Sequence, residues 1–463
     1  MKKLQDILYS VAIESIVGST AIEVESIEFD SRKVKKEALF IAQKGVVTDG
    51  HEFISSALSN GAVAIICEQL PEECKKGIVY VVVENASKAL GQVAANYYDN
   101  PSQKLSLVGV TGTNGKTTIA SLLFELFTAL GYPCGLISTV KISYQTKTWD
   151  NSHTTPDALS LNRHLSKMVL AGISHCFMEV SSHGIAQHRT AGLYFTGGVF
   201  TNLTHDHLDY HGDFKTYRDI KKLFFDQLLK TAFALTNLDD KNGAFMLQNS
   251  KAKTYSYALK QHADYKAQIL ECEFSGMLVK VQGQEVWTNL VGEFNTQNLL
   301  AVYAVAELLG ESSVDILKEL SLLKPIRGRF ETFQSDESIT VVIDYAHSPD
   351  ALENVLETIN KIRTKNETLI TIVGCGGNRD REKRPMIGKK AAALSDKVIF
   401  TSDNPRDEDP ALIISEIMEG VAPEDFKKVL KVTQREEAIA VAGNLANQGD
   451  VVLIAGKGHE TYQ

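Results

Sequence analysis

At 463 residues the chain is too long for one small module, and about 150 residues per domain points to roughly three units. The composition is 44% hydrophobic and 23% charged, which excludes collagen-like, disulfide-scaffold and wholly disordered classes and leaves packed globular protein. With 48 Lys and Arg against 57 Asp and Glu the net charge is −9, so there is no overall attraction to nucleic acid, and an anionic ligand needs a local basic or amide-rich site.

Residues 1–100 hold short apolar runs at 38–41, 62–67 and 78–83 separated by helical stretches, predicting a small α/β domain. The opening Met-Lys-Lys resembles a signal peptide, but Gln5, Asp6, Ser10 and Glu14 interrupt any apolar core. No run approaches the roughly 18 apolar residues of a membrane span. Cys67, Cys74, Cys134, Cys176, Cys272 and Cys375 form no C-x-x-C pair, as expected of reduced thiols. A soluble cytoplasmic protein without membrane insertion or a nucleic acid partner follows as the expectation.

Asn100-Pro-Ser102 marks the expected linker into a central domain at 101–328. It begins as strand (105–110), glycine-rich turn (111–117) and helix (119–130). Further apolar runs at 175–180, 197–201 and 232–236 alternate with helices, so a mostly parallel sheet covered on both faces is predicted. A helix around 298–309 and the turn at 324–328 close this unit. In the third domain, 329–463, apolar strands at 339–344, 369–373, 397–401 and 451–455 alternate with helices, predicting a Rossmann-like, doubly wound α/β unit. Ligands bind beyond the carboxyl ends of such strands, where this chain carries Asp344, Gly374, Asp403 and Gly456.

The turn Thr111-Gly-Thr-Asn-Gly-Lys-Thr-Thr118 sits where a P-loop belongs. Backbone amides and the helix start suit phosphate, Lys116 suits the β/γ oxygens, and the Thr117 hydroxyl suits Mg²⁺. Val110 stands where the usual pattern wants its first glycine. Thr204-His-Asp-His-Leu-Asp-Tyr-His211 has three histidines in eight residues and reads as a metal site or as a merely polar loop; Tyr210 spoils the register of a metallo-β-lactamase-like hydrolase. Glu179 ends a strand beside the phosphate loop, where a carboxylate serves Mg²⁺ or the surface. Lys221 and Lys222 read by default as the solvated side of an amphipathic helix. Gly374-Cys-Gly-Gly-Asn-Arg-Asp-Arg-Glu-Lys-Arg-Pro385 reads as an anion site or as acids paired with bases. In Asp403-Asn-Pro-Arg406 the carboxylate and guanidinium either grip an amino acid or pair with each other.

Taken in order, these motifs resemble the Mur ligase family, the ATP-dependent amino acid ligases of peptidoglycan precursor synthesis. The match spans nearly the whole chain: Asp30-Ser-Arg32, the phosphate loop, Thr154-Thr-Pro156, Glu179-Val-Ser-Ser-His183, Asp206-His-Leu-Asp-Tyr-His-Gly212, Gly292-Glu-Phe-Asn-Thr-Gln-Asn298, Gly328-Arg-Phe-Glu331, Asp344-Tyr-Ala-His347, Asp403-Asn-Pro-Arg406 and Gly456-Lys-Gly-His-Glu460. The family's loop also lacks the first glycine. Within the family the resemblance is to the members that add the third peptide residue. Asp403-Asn-Pro-Arg406 implies meso-2,6-diaminopimelate as the incoming amino acid, with L-lysine as the alternative, and UDP-N-acetylmuramoyl-L-Ala-D-Glu as acceptor.

Carried over residue by residue, the resemblance implies that Gly112, Thr113, Asn114, Gly115, Lys116, Thr117 and Thr118 hold the ATP phosphates, with Asn298 at adenine and Arg329 and Asp344 at phosphate and ribose. Thr117 and Glu179 would hold one Mg²⁺ and His207 a second, with Lys221 as its N-carbamylated partner; Lys116, Glu179, His207 and Lys221 would be the catalytic set. Ser31 would meet uridine, and Thr154, Thr155, Ser181, Gln187 and Arg189 the muramoyl dipeptide. Arg379, Asp403, Asn404, Pro405, Arg406, Gly456 and Glu460 would receive the amino acid. His153 departs from the Asn expected before the Thr pair. Relatives usually continue for another strand and helix beyond the position of Gln463, and the family precedent implies a monomer.

Three rivals share some of these features. Folylpolyglutamate synthase has the phosphate loop and acyl phosphate chemistry without the uridine-binding domain or Asp-Asn-Pro-Arg. A zinc hydrolase would use His205, His207, Asp209 and His211, and a nucleotide switch would bind ATP without acceptor-dependent phosphate release.

Overall fold

The computed structural model describes residues 1–45, 48–151, 153–460 and 462–463. Three main sheets organise the chain. The first runs Ile13–Val17, Val79–Val83, Ala62–Cys67, Ala38–Ile41, Ser26–Glu28, parallel except for its first strand. Strands buried on both faces read as continuous apolar runs, and Ala38–Ile41 and Ala62–Cys67 fall on the runs read from sequence. Helix Ala86–Tyr97, capped by the Asn85 side chain, leans on the central unit. There Gly91 comes so near Ala191 that a Cβ would collide with it. The expected linker is a packed turn: Asn100 is left-handed at φ +50°, Pro101 and Ser102 are buried, and Ser102 Oγ accepts from the Tyr194 amide at 3.0 Å.

The central sheet has eleven strands. Seven are parallel, in the order Cys134–Ile137, His175–Glu179, Ser106–Thr111, Gly197–Phe200, Phe233–Asn237, Lys253–Ala258, Tyr265–Glu273. The antiparallel strands Lys141–Tyr144 and Lys147–Asp150 extend one edge, and Gly276–Val281 and Gln284–Thr288 the other. Helices Lys116–Ala129 and Glu293–Leu308 pack on one face through Leu122, Leu126, Leu299 and Val302, and helices Ala158–Leu170 and Phe214–Asp226 on the other through Leu161, Leu165, Phe224 and Phe225. Alternation of side chains along a strand sends Val108 and Val110 to the first core and Leu107 to the second. Val110 is therefore a core residue, which accounts for a non-glycine there.

The C-terminal sheet runs Glu331–Gln334, Thr340–Asp344, Val451–Ala455, Leu369–Val373, Lys397–Phe400, Val429–Lys431, antiparallel only at its first pair. Helices Pro349–Ile362, Lys383–Leu394 and Pro410–Met418 cover one face and Arg435–Leu445 the other. This three-unit, mostly parallel α/β architecture is the one predicted. Among the described residues, no helix is long and apolar enough to cross a membrane.

Candidate active site

The phosphate loop leaves the end of strand Ser106–Thr111 and enters the 14-residue helix Lys116–Ala129. Gly112 (φ +150°) and Gly115 (φ +85°) give the loop its shape, and a Cβ would strike the Thr201 hydroxyl at the first and Asn298 Oδ1 at the second. Asn202 braces the loop, its carbonyl accepting from the Thr113 amide at 2.8 Å and its Oδ1 from the Asn114 amide at 2.9 Å. Thr113 Oγ1 lies 3.1 Å from Tyr217 Oη. A helix start framed by free amides is a ready anion site.

Lys116 Nζ donates to the carbonyls of Gly112 (3.0 Å) and Thr113 (2.8 Å), and Lys221 Nζ donates to the same Gly112 carbonyl at 2.8 Å. Burial lowers the Lys116 pKa against the opposing charges of Glu179 and Asp206. Burial, with Lys116 acting in the same direction, drives Lys221 well below the ordinary lysine value. The amphipathic-helix reading of Lys221 and Lys222 as solvated side chains is wrong: both are buried, Lys221 under the phosphate loop and Lys222 against Asp226 (2.5 Å) and the Phe245 ring.

Glu179 is fully buried at its strand end and accepts from the Thr139 amide (2.7 Å) and hydroxyl (3.1 Å). Thr139 Oγ1 also reaches Thr154 Oγ1 at 3.0 Å. Thr155 Oγ1 bonds the Glu179 carbonyl at 2.9 Å and Ser181 Oγ at 3.1 Å, Arg189 Nη1 donates to the Thr155 carbonyl at 2.6 Å, and Gln187 Oε1 accepts from Arg189 Nη2 at 2.7 Å. All five residues read as contacts for the muramoyl dipeptide thus form one network around Glu179. Ser31 lies in the N-terminal unit, buried, its carbonyl accepting from Asn60 at 2.9 Å.

The three histidines of the central loop face different partners. His205 Nε2 lies 3.4 Å from Asp380 Oδ2, His207 Nε2 3.5 Å from Asp206 Oδ2, and His211 Nε2 2.9 Å from Ser182 Oγ. The side chain of Asp209 lies outside the described residues. No group of three or more His, Cys, Asp or Glu among the described residues is arranged for a metal ion. His207 takes a left-handed backbone (φ +54°), and burial holds its pKa down to about 3 against the pull of Asp206, leaving a neutral imidazole with a lone pair to give. Magnesium needs few protein ligands, with hard oxygens and nucleotide phosphates completing its shell. The Thr117 hydroxyl and the Glu179 carboxylate fit that requirement, and the His207 imidazole adds a nitrogen donor.

Between the central and C-terminal units lies a cleft of about 340 Å³ whose walls include Asn114, Gly115, Thr118, Asn298, Arg329 and Asp344. The structure therefore brings the predicted adenine, phosphate and ribose residues to the phosphate loop. Arg329 Nη2 reaches Thr117 Oγ1 at 3.3 Å, and Asp344 accepts from the Phe330 (2.7 Å) and Ala346 (2.7 Å) amides. Burial raises the Asp344 pKa, Arg329 and those two amides opposing it. Asn202, Tyr217 and Tyr345 also frame this region and were given no role from the sequence: Tyr345 stood inside the quoted Asp344-Tyr-Ala-His347, and Asn202 and Tyr217 lay near quoted motifs.

At the ends of the C-terminal strands, Asn404 Nδ2 donates to Glu460 Oε2 at 3.0 Å, Lys457 Nζ to Asn404 Oδ1 at 3.0 Å, and Tyr345 Oη to Glu460 Oε1 at 3.1 Å. Gly456 (φ +109°) lies against Asp403, and the Pro405 backbone against Gly377. Arg406, with a left-handed backbone (φ +52°), turns its Nη1 to the carbonyls of Gly377 (2.7 Å) and Asn404 (3.3 Å), so the alternative of an internal pair with Asp403 is not the one adopted. Arg379 is exposed on the neighbouring loop. Beneath both loops the buried Arg384 binds Glu408 at 2.8 Å and Glu416 at 2.5 Å.

Models of the Mur ligase middle domain, of the Mur ligase glutamate ligase domain and of the Mur ligase family catalytic domain match residues 110–306, 328–458 and 23–98 respectively. The chain is 52% identical over 462 residues to UDP-N-acetylmuramoyl-L-alanyl-D-glutamate--2,6-diaminopimelate ligase of Cytophaga hutchinsonii, covering 100% of this chain and 95% of the relative. It is 50% identical over 461 residues to the protein of the same name from Bacteroides fragilis, with the same coverage. A solved structure of a ligase so named superposes with a TM-score of 0.71 at 32% identity, covering 100% of this chain and 94% of that one.

Proposed function

The chain belongs to the Mur ligase family, and on that premise we propose that it is an ATP-dependent ligase. It joins meso-2,6-diaminopimelate to the D-Glu γ-carboxylate of UDP-N-acetylmuramoyl-L-Ala-D-Glu in cytoplasmic peptidoglycan precursor synthesis. The observation that carries this reading is one cleft in which the phosphate loop and Asn298 of the central unit meet Arg329 and Asp344 of the C-terminal unit.

The γ-carboxylate attacks the γ-phosphorus of ATP, ADP leaves, and an acyl phosphate forms. The neutral amine of diaminopimelate then attacks the acyl carbon, phosphate leaves, and the nitrogen gives up a proton as the amide forms. Lys116 and the loop amides hold charge on the transferring group. Thr154, Thr155, Ser181, Gln187 and Arg189 place the dipeptide carboxylate next to Glu179, while Asp403, Asn404, Arg406, Gly456 and Glu460, with Arg379, orient the amine. Holding both reactants replaces a bimolecular encounter with an oriented one. Thr117, Glu179 and His207 would hold Mg²⁺, which when bound neutralises phosphate charge. Burial favours the neutral amine of Lys221, which is the form that adds CO₂, and the carbamate so formed would be an anionic oxygen donor.

Phosphate release from ATP is the test, measured with Mg²⁺, the UDP-dipeptide and either meso-diaminopimelate or L-lysine, each component omitted in turn. Release requiring every component and favouring diaminopimelate is expected. Preference for lysine would overturn the substrate reading, and release without an acceptor carboxylate would overturn the ligase.

A further inference from the structure

Lys383 opens helix Lys383–Leu394 of the C-terminal unit, yet its ammonium leaves that unit and meets the central one. Its Nζ lies 2.5 Å from Asp206 Oδ1, with side chains only 14% and 7% exposed. The same Asp206 oxygen accepts from the His207 amide at 3.0 Å, and its other oxygen faces the His207 ring at 3.5 Å. Asp380, three residues before Lys383, lies 3.4 Å from His205 without a hydrogen bond, so a second C-terminal side chain approaches the loop 205–207 from across the cleft. Arg384, the next residue, points the other way, to Glu408 after the Asp-Asn-Pro-Arg turn and to Gly376 of the facing loop (3.4 Å). One helix start thus touches both the loops assigned to the amino acid and the loop that carries His207, the residue assigned to the metal.

We propose that Lys383 is a positioning residue: its ion pair with Asp206 latches the amino-acid-holding unit over the His207 loop. The inference rests on the ligase reading for which substrate is positioned, and on geometry alone for the latch. A pair this far out of water is favourable only while both partners are matched. When the units part, both charges must be rehydrated separately. The pair therefore exists in the docked arrangement and orients it. Neither residue needs to touch a reacting atom.

The test uses the full chain with Lys383→Met, Lys383→Arg and, from the opposite side, Asp206→Asn. Steady-state kinetics give kcat and the KM for diaminopimelate, calorimetry gives the Kd of the UDP-dipeptide, and small-angle X-ray scattering with a non-hydrolysable ATP analogue and the UDP-dipeptide reports closure. Lys383→Met is expected to raise the KM for diaminopimelate at least tenfold and to scatter as a more extended particle, with the UDP-dipeptide Kd within twofold of the parent. Lys383→Arg is expected to recover the KM to within threefold, and Asp206→Asn to show the same extended scattering as the methionine variant. A parental KM with compact scattering in Lys383→Met, an arginine variant as impaired as the methionine one, or an activity loss matched by loss of folded protein would each overturn the latch. Scattering needs no turnover, so a parent chain that fails to ligate diaminopimelate refutes the ligase reading while the latch is still decided.

Discussion

Replacing Arg384 by Met keeps the volume of a buried side chain and removes its charge. The guanidinium is 1% exposed and serves both Glu408 and Glu416, which are 24% and 23% exposed. Breaking a fully buried ion pair by removing one partner costs about 3–5 kcal/mol. Here water reaches the stranded carboxylates, and Arg381 still serves Glu416, so about 2–3 kcal/mol is expected. For a unit of this size that is a fall of about 6–15 °C in the midpoint of the C-terminal transition. Arg384, with the Asn378 amide, holds Glu408 down to about 2 from an ordinary 4.5. A depressed carboxylate contributes stability above its unfolded pKa and loses it as pH falls through the folded one. The gap between parent and variant is therefore full above about pH 4.5 and closes toward pH 2. Scanning calorimetry across that range, with the KM for diaminopimelate at neutral pH, is the assay. Because Arg384 braces both amino-acid loops, that KM is expected to rise about tenfold. Melts coinciding within 2 °C at pH 7, or a gap that does not narrow on acidification, would refute the reasoning.

Lys116→Met should lower acceptor-dependent phosphate release by about 10² or more, since it removes the phosphate-loop cation proposed to hold charge on the transferring group, with the UDP-dipeptide Kd unchanged by calorimetry. Gly112→Ala should abolish nucleotide binding in a fluorescent-ATP titration, because the added carbon meets the Thr201 hydroxyl at a φ that side chains resist. Leu123→Ala, at a fully buried core position, should cost about 2–5 kcal/mol in urea unfolding without altering the KM for ATP in the folded fraction.

The buried strands were the most legible part of the sequence. Leu369–Val373 and Val451–Ala455 coincide with apolar runs, because a parallel strand covered on both faces leaves nothing polar to blur it. Tyr265–Glu273 and the edge strand Gln284–Thr288 were not legible, since their half-exposed alternation is interrupted by Glu and Gln. Motif residues such as Lys116 and Asn404 stood out through residue type and spacing. Lys222 did not: nothing near it in sequence shows that its face of the helix is covered. The acids that pair Arg384 lie 24 and 32 residues downstream, and Asp206 is 177 residues from Lys383, distances at which local reading carries no signal.

The order of the central sheet also bears on how the protein is made. Strand Ser106–Thr111 lies between His175–Glu179 and Gly197–Phe200. A nascent chain emerging from the ribosome therefore holds this apolar strand, with the phosphate loop behind it, without a partner while nearly seventy further residues are synthesised, and with one edge open for about twenty more. Pairing so distant in sequence is slow, whereas the hairpin Gly276–Val281 with Gln284–Thr288 closes locally. For that interval the strand that carries the phosphate loop is an exposed apolar segment of the growing chain, of the kind a chaperone covers.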